Sequence, residues 1–257
     1  FWAGPYAVTL LSFMGAEVIK VESHKRFDPS RTRSLTTGQK FSNIEQSPVY
    51  NEISLNRLGV TLDLTQPRAV ELAKRLLKVS DVLAQNFRPG VMDKLGLGYA
   101  AVRGVRPDIV YLSSSALGAE GPERYYTGYA PGFASLGGLA YITGYPAGPP
   151  YAMTGRIDLI SATTSAFAIL VALNRRLRTG QGQHIDLSSS ESISVLIGDV
   201  FMDHAMNRRV QTPQGNRDAV MAPHNCYPCQ GSDEWVSIAV GTEEEWRALC
   251  RALGHPE

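Results

Sequence analysis

Asp81-Val82-Leu83-Ala84-Gln85-Asn86 and Asp108-Ile109-Val110-Tyr111-Leu112-Ser113 are the two stretches that decide the fold. Each opens on Asp, runs through a short apolar segment and closes on polar residues. Short apolar runs bounded in this way read as strands covered on both faces. Between them, Val91 to Leu95 and Tyr99 to Val105 read as short helices. Ahead of them, Gln66 to Val79 carries Val70, Leu72, Ala73, Leu76 and Leu77 at helical spacing. Strands alternating with helices predict βαβ units, a mainly parallel sheet and an α/β fold. Ligands of such sheets sit at the carboxyl ends of the strands. Those ends carry Glu22, Asn86 and Ser113 to Ser115.

Outward from this centre the pattern continues. Ala16 to Glu22 alternates with period two and reads as a strand. Pro5 to Met14 reads as a helix with Pro at its first position and Gly15 as its stop. A polar stretch follows from Ser23 to about Asn56, and a loop of that length is usually functional. Gly59 to Leu64 is a short strand. Toward the C-terminus, Pro131 to Ala140 reads as a helix. Asp158 to Arg178 is the longest periodic helix and Gly180 closes it. Gln183 to Leu187 is a strand, Ser189 to Asn207 a helix and Val210 to Pro223 a linker. Cys226 to Gln230 and Trp235 to Val240 predict a hairpin, with a helix from Glu243 to Leu253 after it.

Composition narrows the function. Across 257 residues, Lys+Arg 25 against Asp+Glu 24 leaves a net charge of +1. That gives no global field to hold nucleic acid or an anionic membrane, so anion binding must be local. Three cysteines make no disulfide framework, which suits the reducing cytoplasm. The longest apolar run, Ala166 to Leu173, is too short to span a bilayer. The chain opens Phe1-Trp2-Ala3-Gly4-Pro5 without an initiator Met and reads as part of a longer protein.

Several motifs have plain structural readings. Gly96-x-Gly98-x-x-Ala101 matches a loose dinucleotide fingerprint, but it follows a short helix where a strand is required, so it reads as a turn. His224-x-Cys226-x-x-Cys229 lacks a second ligand pair for zinc and leads into a strand rather than a redox helix, so no metal site is expected. Arg175, Arg176 and Arg178 complement the dipole at a helix end. Asp158, following Gly155-Arg156-Ile157, reads as an N-cap. The same place has a sharper chemistry. A carboxylate held ionised by a helix N-terminus can attack an activated acyl group. Lys94 follows the turn Asn86-Phe87-Arg88-Pro89-Gly90, and Lys94 and Arg88 are candidate phosphate contacts. Asn56-Arg57 is a candidate of the same kind.

Taken together the blocks resemble the family III CoA-transferases. Ala3-Gly4-Pro5 and Gly15-Ala16-Glu17-Val18-Ile19-Lys20-Val21-Glu22 open the pattern. Asn56-Arg57 through Leu62-Asp63-Leu64 and Asn86-Phe87-Arg88-Pro89-Gly90-Val91-Met92-Asp93-Lys94-Leu95-Gly96 continue it. Arg178-Thr179-Gly180-Gln181-Gly182-Gln183-His184-Ile185-Asp186-Leu187-Ser188 completes it. The order and spacing of the blocks are strongly specific, and they cover nearly the whole chain. The family includes formyl-CoA, carnitine and benzylsuccinate CoA-transferases and the α-methylacyl-CoA racemases.

The resemblance implies a Rossmann-like large domain over 1–209, a linker over 210–223 and the beginning of a smaller α+β domain over 224–257. It implies that whole members start earlier, with a strand before Ala-Gly-Pro, and extend past Glu257. It implies an interlocked dimer, a homodimer or a heteromer with a related chain. It makes Asp158 the nucleophile and Tyr129 an active-site tyrosine. Lys94 becomes a CoA-phosphate contact, and Asn56 and Arg57 lie in a segment near the CoA nucleotide, with Arg88 and Asn86 in the neighbouring CoA-binding block. Racemases place His at the Tyr129 position, and neutral Tyr is a poor α-proton base near pH 7. Trp2 stands where formyl-CoA transferases have Gln, which suggests a larger, less polar acyl group.

The implied activity is transfer of CoA between an acyl-CoA and a free carboxylic acid through an aspartyl anhydride and an aspartyl-CoA thioester. CoA enters as substrate, no cofactor is held permanently, and oxyanion donors are expected near Gly137-Gly138. The alternatives are an α-methylacyl-CoA epimerase and a non-catalytic subunit of a heteromeric transferase.

Overall fold

The structure, a computed structural model, describes residues 2–34, 37–151, 153 and 155–255. In chain order the elements are α1 (Ala3–Phe13), β1 (Ile19–Glu22), α2 (Pro29–Thr32), α3 (Pro48–Ile53), β2 (Leu58–Thr61), α4 (Pro67–Leu77) and β3 (Val82–Gln85). Then come α5 (Val91–Lys94), α6 (Tyr99–Arg103), β4 (Val110–Ser115), α7 (Ala130–Leu136), α8 (Leu139–Ile142) and α9 (Arg156–Thr179). The last are β5 (Gln183–Ser188), α10 (Ser189–Leu196), α11 (Gly198–Asn207), β6 (His224–Pro228), β7 (Trp235–Ala239) and α12 (Glu243–Ala252). The chain divides into two compact units, Phe1–Gly137 with Met153–Gly198, and Gly138–Ala152 with Asp199–Glu257.

The first unit is the α/β body. Strands β3, β4 and β5 form a parallel ladder in that order, with Ala84 opposite Leu112 and Leu112 opposite Ile185. Successive side chains on β4 face opposite ways. Tyr111 packs with Leu77 of α4, Met92 of α5 and Val102 of α6. Leu112 packs with Leu11 of α1 and with Ala166 and Ile169 of α9. The sheet is therefore the middle layer of three, as its unbroken apolar sequence predicts. Leu112 is fully buried and Tyr111 nearly so, each worth roughly 1.5–3 kcal/mol of transfer free energy.

Small residues let α1 and α9 approach closely. Ala3, Gly4 and Ala7 of α1 and Ser161, Ala162, Ser165 and Ala166 of α9 are all buried. At the amino ends of the strands, Arg176 reaches Asp81 at 2.8 Å, and Arg106 reaches Asp108 at 2.8 Å. Arg176 thus ties the end of α9 to the sheet, beyond the dipole role expected of it. The helix closes where Gly180 takes φ 71° and its N–H donates to the Arg176 carbonyl at 2.7 Å.

Several sequence expectations shift. The parallel strands form two ladders, β1–β2 and β3–β4–β5, because no hydrogen bond among the described residues joins β1 to β3. Helix α1 starts two residues before Pro5, since the first helical turn needs no backbone donors and tolerates a proline inside it. The helix expected over Pro131–Ala140 splits into α7 and α8 where Gly138 turns left-handed, and that over Ser189–Asn207 splits at Ile197. The polar stretch from Ser23 to Asn56 contains α2 and α3, each capped by a side-chain oxygen ahead of a proline: Asp28 accepts from the Ser30 N–H, and Ser47 from the Tyr50 N–H. Helix α9, longer than the apolar run inside it, has the length and composition to cross a membrane, yet its buried face is part of the protein core.

The second unit holds α8, most of α11, the β6–β7 hairpin and α12. The Gly215 N–H donates to the Gly144 carbonyl at 2.8 Å, and the Asn216 amide donates to Tyr145 Oη and Asn225 Oδ1 at 3.1 Å each. Thr242 and Glu245 form a capping box on α12. Cys226 and Cys229 are free and exposed on this hairpin.

Candidate active site

Asp158 lies at the third residue of α9, with Gly155 as the N-cap. Its side chain points back over the first turn, as helical side chains do. It is 8% exposed. Among the described residues no donor is hydrogen-bonded to its carboxylate, and burial pushes its pKa up to about 6. The sequence suggested a cap held ionised by the helix end. In the structure removal from water dominates, so Asp158 is a carboxylate of raised basicity, its pKa pushed up to about 6.

The first turn of α1 lies beside this residue. The Trp2 ring carbons come within 3.0–3.5 Å of the position a Cβ would take on Gly155, where φ is +75°. Only glycine satisfies both the left-handed backbone and the ring. On the other side, Asn86 Cγ lies 2.9 Å from the Cβ position of Gly4. The start of α1 therefore touches both the loop after β3 and the cap of α9. In this way the carboxyl edge of the sheet, Asn86 and the Asp158 turn are gathered at one place.

The cations divide into two groups. Arg88 and Lys94 are exposed, Arg88 in the loop after β3 and Lys94 at the end of α5, and neither makes an ion pair among the described residues. Helix α5 is a single turn, so these charges do not act with a helix dipole, as the strand-to-helix reading supposed. Arg57 is different. Its Nε and Nη2 are buried without an acceptor among the described residues, and burial lowers its pKa while Tyr50, Glu22 and Asp28 oppose the shift. A guanidinium with two unused donors is a fit for a phosphate. Its neighbour Asn56 sits at φ 53° and spends its amide on the Ser12 carbonyl at 2.8 Å, fastening this loop to the end of α1.

Tyr129 caps α7, the helix that packs on α9 and α10, and is 67% exposed. Its carbonyl accepts from Gly132 at 2.8 Å. Gly137, expected near an oxyanion donor, gives its N–H to the Phe133 carbonyl at 2.8 Å, and a Cβ at its position would fall 2.8 Å from the Ser190 carbonyl oxygen and 3.0 Å from Ile193.

The sequence missed the network beside this edge. Arg31 grips Glu22 with Nε at 3.2 Å and Nη2 at 2.8 Å, and the Tyr50 hydroxyl donates to Glu22 at 2.7 Å. Lys20 bridges Glu22 at 3.4 Å and Asp28 at 3.2 Å. Burial works against the Glu22 charge, yet these partners hold its pKa below the usual range. Asp28-Pro29 and Ser47-Pro48, two capping signatures inside the polar stretch, were the available signals. Glu22 and Ser113 at the strand ends are thus engaged within the protein, Ser113 with Gln85 and His184 at 2.9 Å each.

The model of CoA-transferase family III matches residues 1–257. A succinyl-CoA–D-citramalate CoA-transferase of Chloroflexus aurantiacus is 33% identical over 260 residues, spanning 100% of this chain and 63% of that protein. A succinyl-CoA–L-malate CoA-transferase alpha subunit of Chloroflexus aurantiacus is 31% identical, spanning 100% of this chain and 59% of that protein. A CAIB/BAIF family crystal structure from Brucella suis superposes with a TM-score of 0.88 at 30% identity, covering 100% of this chain and 67% of that one. The chain thus spans about three-fifths of the length of these curated relatives.

Proposed function

Because this chain belongs to CoA-transferase family III, we propose that the protein containing it moves CoA between an acyl-CoA thioester and a free carboxylic acid. The observation that carries the reading is Asp158: a buried carboxylate without a donor among the described residues, at the first turn of α9, with its pKa raised to about 6. Desolvation makes such a carboxylate more basic and more nucleophilic.

The chemistry runs in balanced steps. Asp158 Oδ attacks the thioester carbonyl carbon, and collapse of the tetrahedral intermediate expels CoA thiolate and leaves an acyl-aspartyl anhydride. The thiolate attacks the Asp158 carbonyl, which releases the donor acid and forms an aspartyl-CoA thioester. The acceptor carboxylate attacks the same carbonyl and expels the thiolate, giving a second anhydride. The thiolate then attacks the acceptor acyl carbon, which yields the new acyl-CoA and frees Asp158. The activation of the thioester is kept throughout. A dry site protects the anhydride from water, consistent with the burial of Asp158.

Arg57 is assigned to a CoA phosphate, with Lys94 and Arg88 supplying exposed positive charge and Asn86 and Asn56 shaping the approach. Tyr129 is assigned to the acyl side. The acids named for the two relatives are C4 and C5 dicarboxylates, which supports a short dicarboxylate acceptor here. The domain assignment follows the family, with the large domain over 1–209, a linker over 210–223 and the small domain beginning over 224–257. Assembly with an identical or related chain suits the exposed apolar residues Phe167, Leu170, Val171 and Leu177 along α9. Three unpaired cysteines suit a cytoplasmic site of action. The test is trapping: hydroxylamine added during turnover with succinyl-CoA should convert Asp158 to its hydroxamate, and an unmodified Asp158 would overturn the mechanism.

A further inference from the structure

Three side chains on one face of the sheet form a hydrogen-bonded line that ends on a main-chain N–H. His184 of β5 lies opposite Tyr111 of β4, and Ser113, two residues on, lies opposite Gln85 of β3. Residues two apart on a strand share a face, so His184, Ser113 and Gln85 stand with Tyr111 on the side covered by α4, α5 and α6. His184 Nε2 is 2.9 Å from Ser113 Oγ, Gln85 Nε2 donates to the same oxygen at 2.9 Å, and Gln85 Oε1 accepts the Phe87 N–H at 2.7 Å. Chemistry sets the direction. A backbone N–H only donates, so Gln85 meets it with its oxygen and gives its NH2 group to Ser113. Ser113 Oγ then accepts from Gln85, and its own proton is available for His184 Nε2. The imidazole is held in place by stacking on Tyr99, with ring centroids 4.9 Å apart and planes at 18°, and by an edge contact with Tyr111 at 5.3 Å.

The end of this line stands in the loop after β3, where Phe87 lies between Asn86 and Arg88 and Asn86 packs against Gly4 of α1. Pro89 in the same loop has no N–H to give. The Asn86–Phe87 peptide is thus tied to the sheet through the Gln85 side chain, and turning that peptide would turn Asn86 and Arg88 with it. Resting on the transferase reading, we infer that His184 and Ser113 are positioning residues: acting through Gln85 and not by contact with CoA, they fix the Asn86–Phe87 peptide and so the placement of Asn86 and Arg88 for CoA. Hydrogen bonds in series polarise one another, so loss of the distant member weakens the last bond.

Calorimetry with CoA and steady-state kinetics with succinyl-CoA, both on the full-length protein, test this. His184→Phe keeps a ring against Tyr99 and removes Nε2. The Kd for CoA and the KM for succinyl-CoA should rise about 3–10-fold, the worth of one hydrogen bond, with kcat unchanged. Ser113→Ala should do the same, and Ser113→Thr, which keeps the hydroxyl, should bind CoA as the wild type does. This serine pair carries the test if His184→Phe does not fold. Because the effect passes through Gln85, adding His184→Phe to Gln85→Leu should weaken CoA binding no further, whereas independent effects multiply. Multiplied effects, or a fall in kcat at unchanged CoA affinity, overturn the assignment. Deuterium exchange of the Phe87 amide needs no CoA, and it should be faster in His184→Phe and Ser113→Ala than in the wild type. Unchanged exchange in a protein that transfers CoA overturns the role of the line and leaves the transferase reading standing. Faster exchange in a protein that neither binds nor transfers CoA supports the line and defeats the transferase reading instead.

Discussion

The side chain of Asn86 lies 2.9 Å from the position a Cβ would take on Gly4, so the loop after β3 and the first turn of α1 meet with no space for a methyl group. Asn86 carries part of the candidate CoA site, and α1 carries Trp2 at its cap. Gly4→Ala should therefore force the amide or the helix to move. Overpacking of this kind costs about 1–3 kcal/mol. Urea unfolding should show a lower midpoint with an unchanged slope, and an undiminished midpoint would show that the contact is slack.

Arg57 gives a test that separates binding from folding. Its two buried donors bond to nothing among the described residues, so Arg57→Met removes no hydrogen bond from them there. The unfolding free energy should hold or rise, while affinity for CoA falls about 10–100-fold, the worth of a charge-assisted contact. Calorimetry with CoA reads the second quantity. A destabilised variant with normal CoA affinity would instead assign Arg57 to the Glu22 network.

Asp158 links activity to stability with opposite demands. Burial raises its pKa from 3.8 to about 6, so the fold prefers the neutral acid. The associated stability is complete below pH 3.8 and is lost as pH rises to about 6. Asp158→Asn never ionises and escapes that loss. Its stability relative to the wild type should be near zero at pH 4 and greater by on the order of 3 kcal/mol at pH 7.5. Wild-type kcat/KM should fall below about pH 6, where the nucleophile is protonated. A flat stability difference across this range would contradict the buried assignment.

The Glu22–Arg31 pair behaves in the other direction. Its depressed pKa means stability that is present above 4.5 and lost as pH falls through the lowered value. Arg31→Met should destabilise by about 2–4 kcal/mol at pH 7, less than for a fully buried pair because both side chains retain some solvent contact. The deficit should shrink below pH 4.5 as Glu22 takes up a proton. Thermal unfolding of both proteins at several pH values measures it.

These residues also show what a sequence conveys. Strands β3 and β4 were legible because both faces are buried, and α9 because its period and terminal Gly180 are clear. The β6–β7 hairpin was legible from its two short runs. Asp158 was found by motif and position, but its raised basicity was not, since desolvation depends on α1 packing across the turn. The Glu22–Arg31–Tyr50 network was hidden because its members lie 9 and 28 residues from Glu22 inside a stretch without periodicity. The breaks at Gly138 and Ile197 depend on local backbone conformations that an apolar pattern does not encode.

The most direct test of the central claim is covalent. Full-length protein mixed with succinyl-CoA, quenched in acid and digested, should yield the peptide bearing Asp158 with one CoA attached as a thioester. Hydroxylamine should discharge it, and Asp158→Asn should form none and lose at least ~10³-fold in kcat. CoA attached to another residue, or an Asp158→Asn variant that turns over normally, would contradict the assignment of Asp158 as the nucleophile.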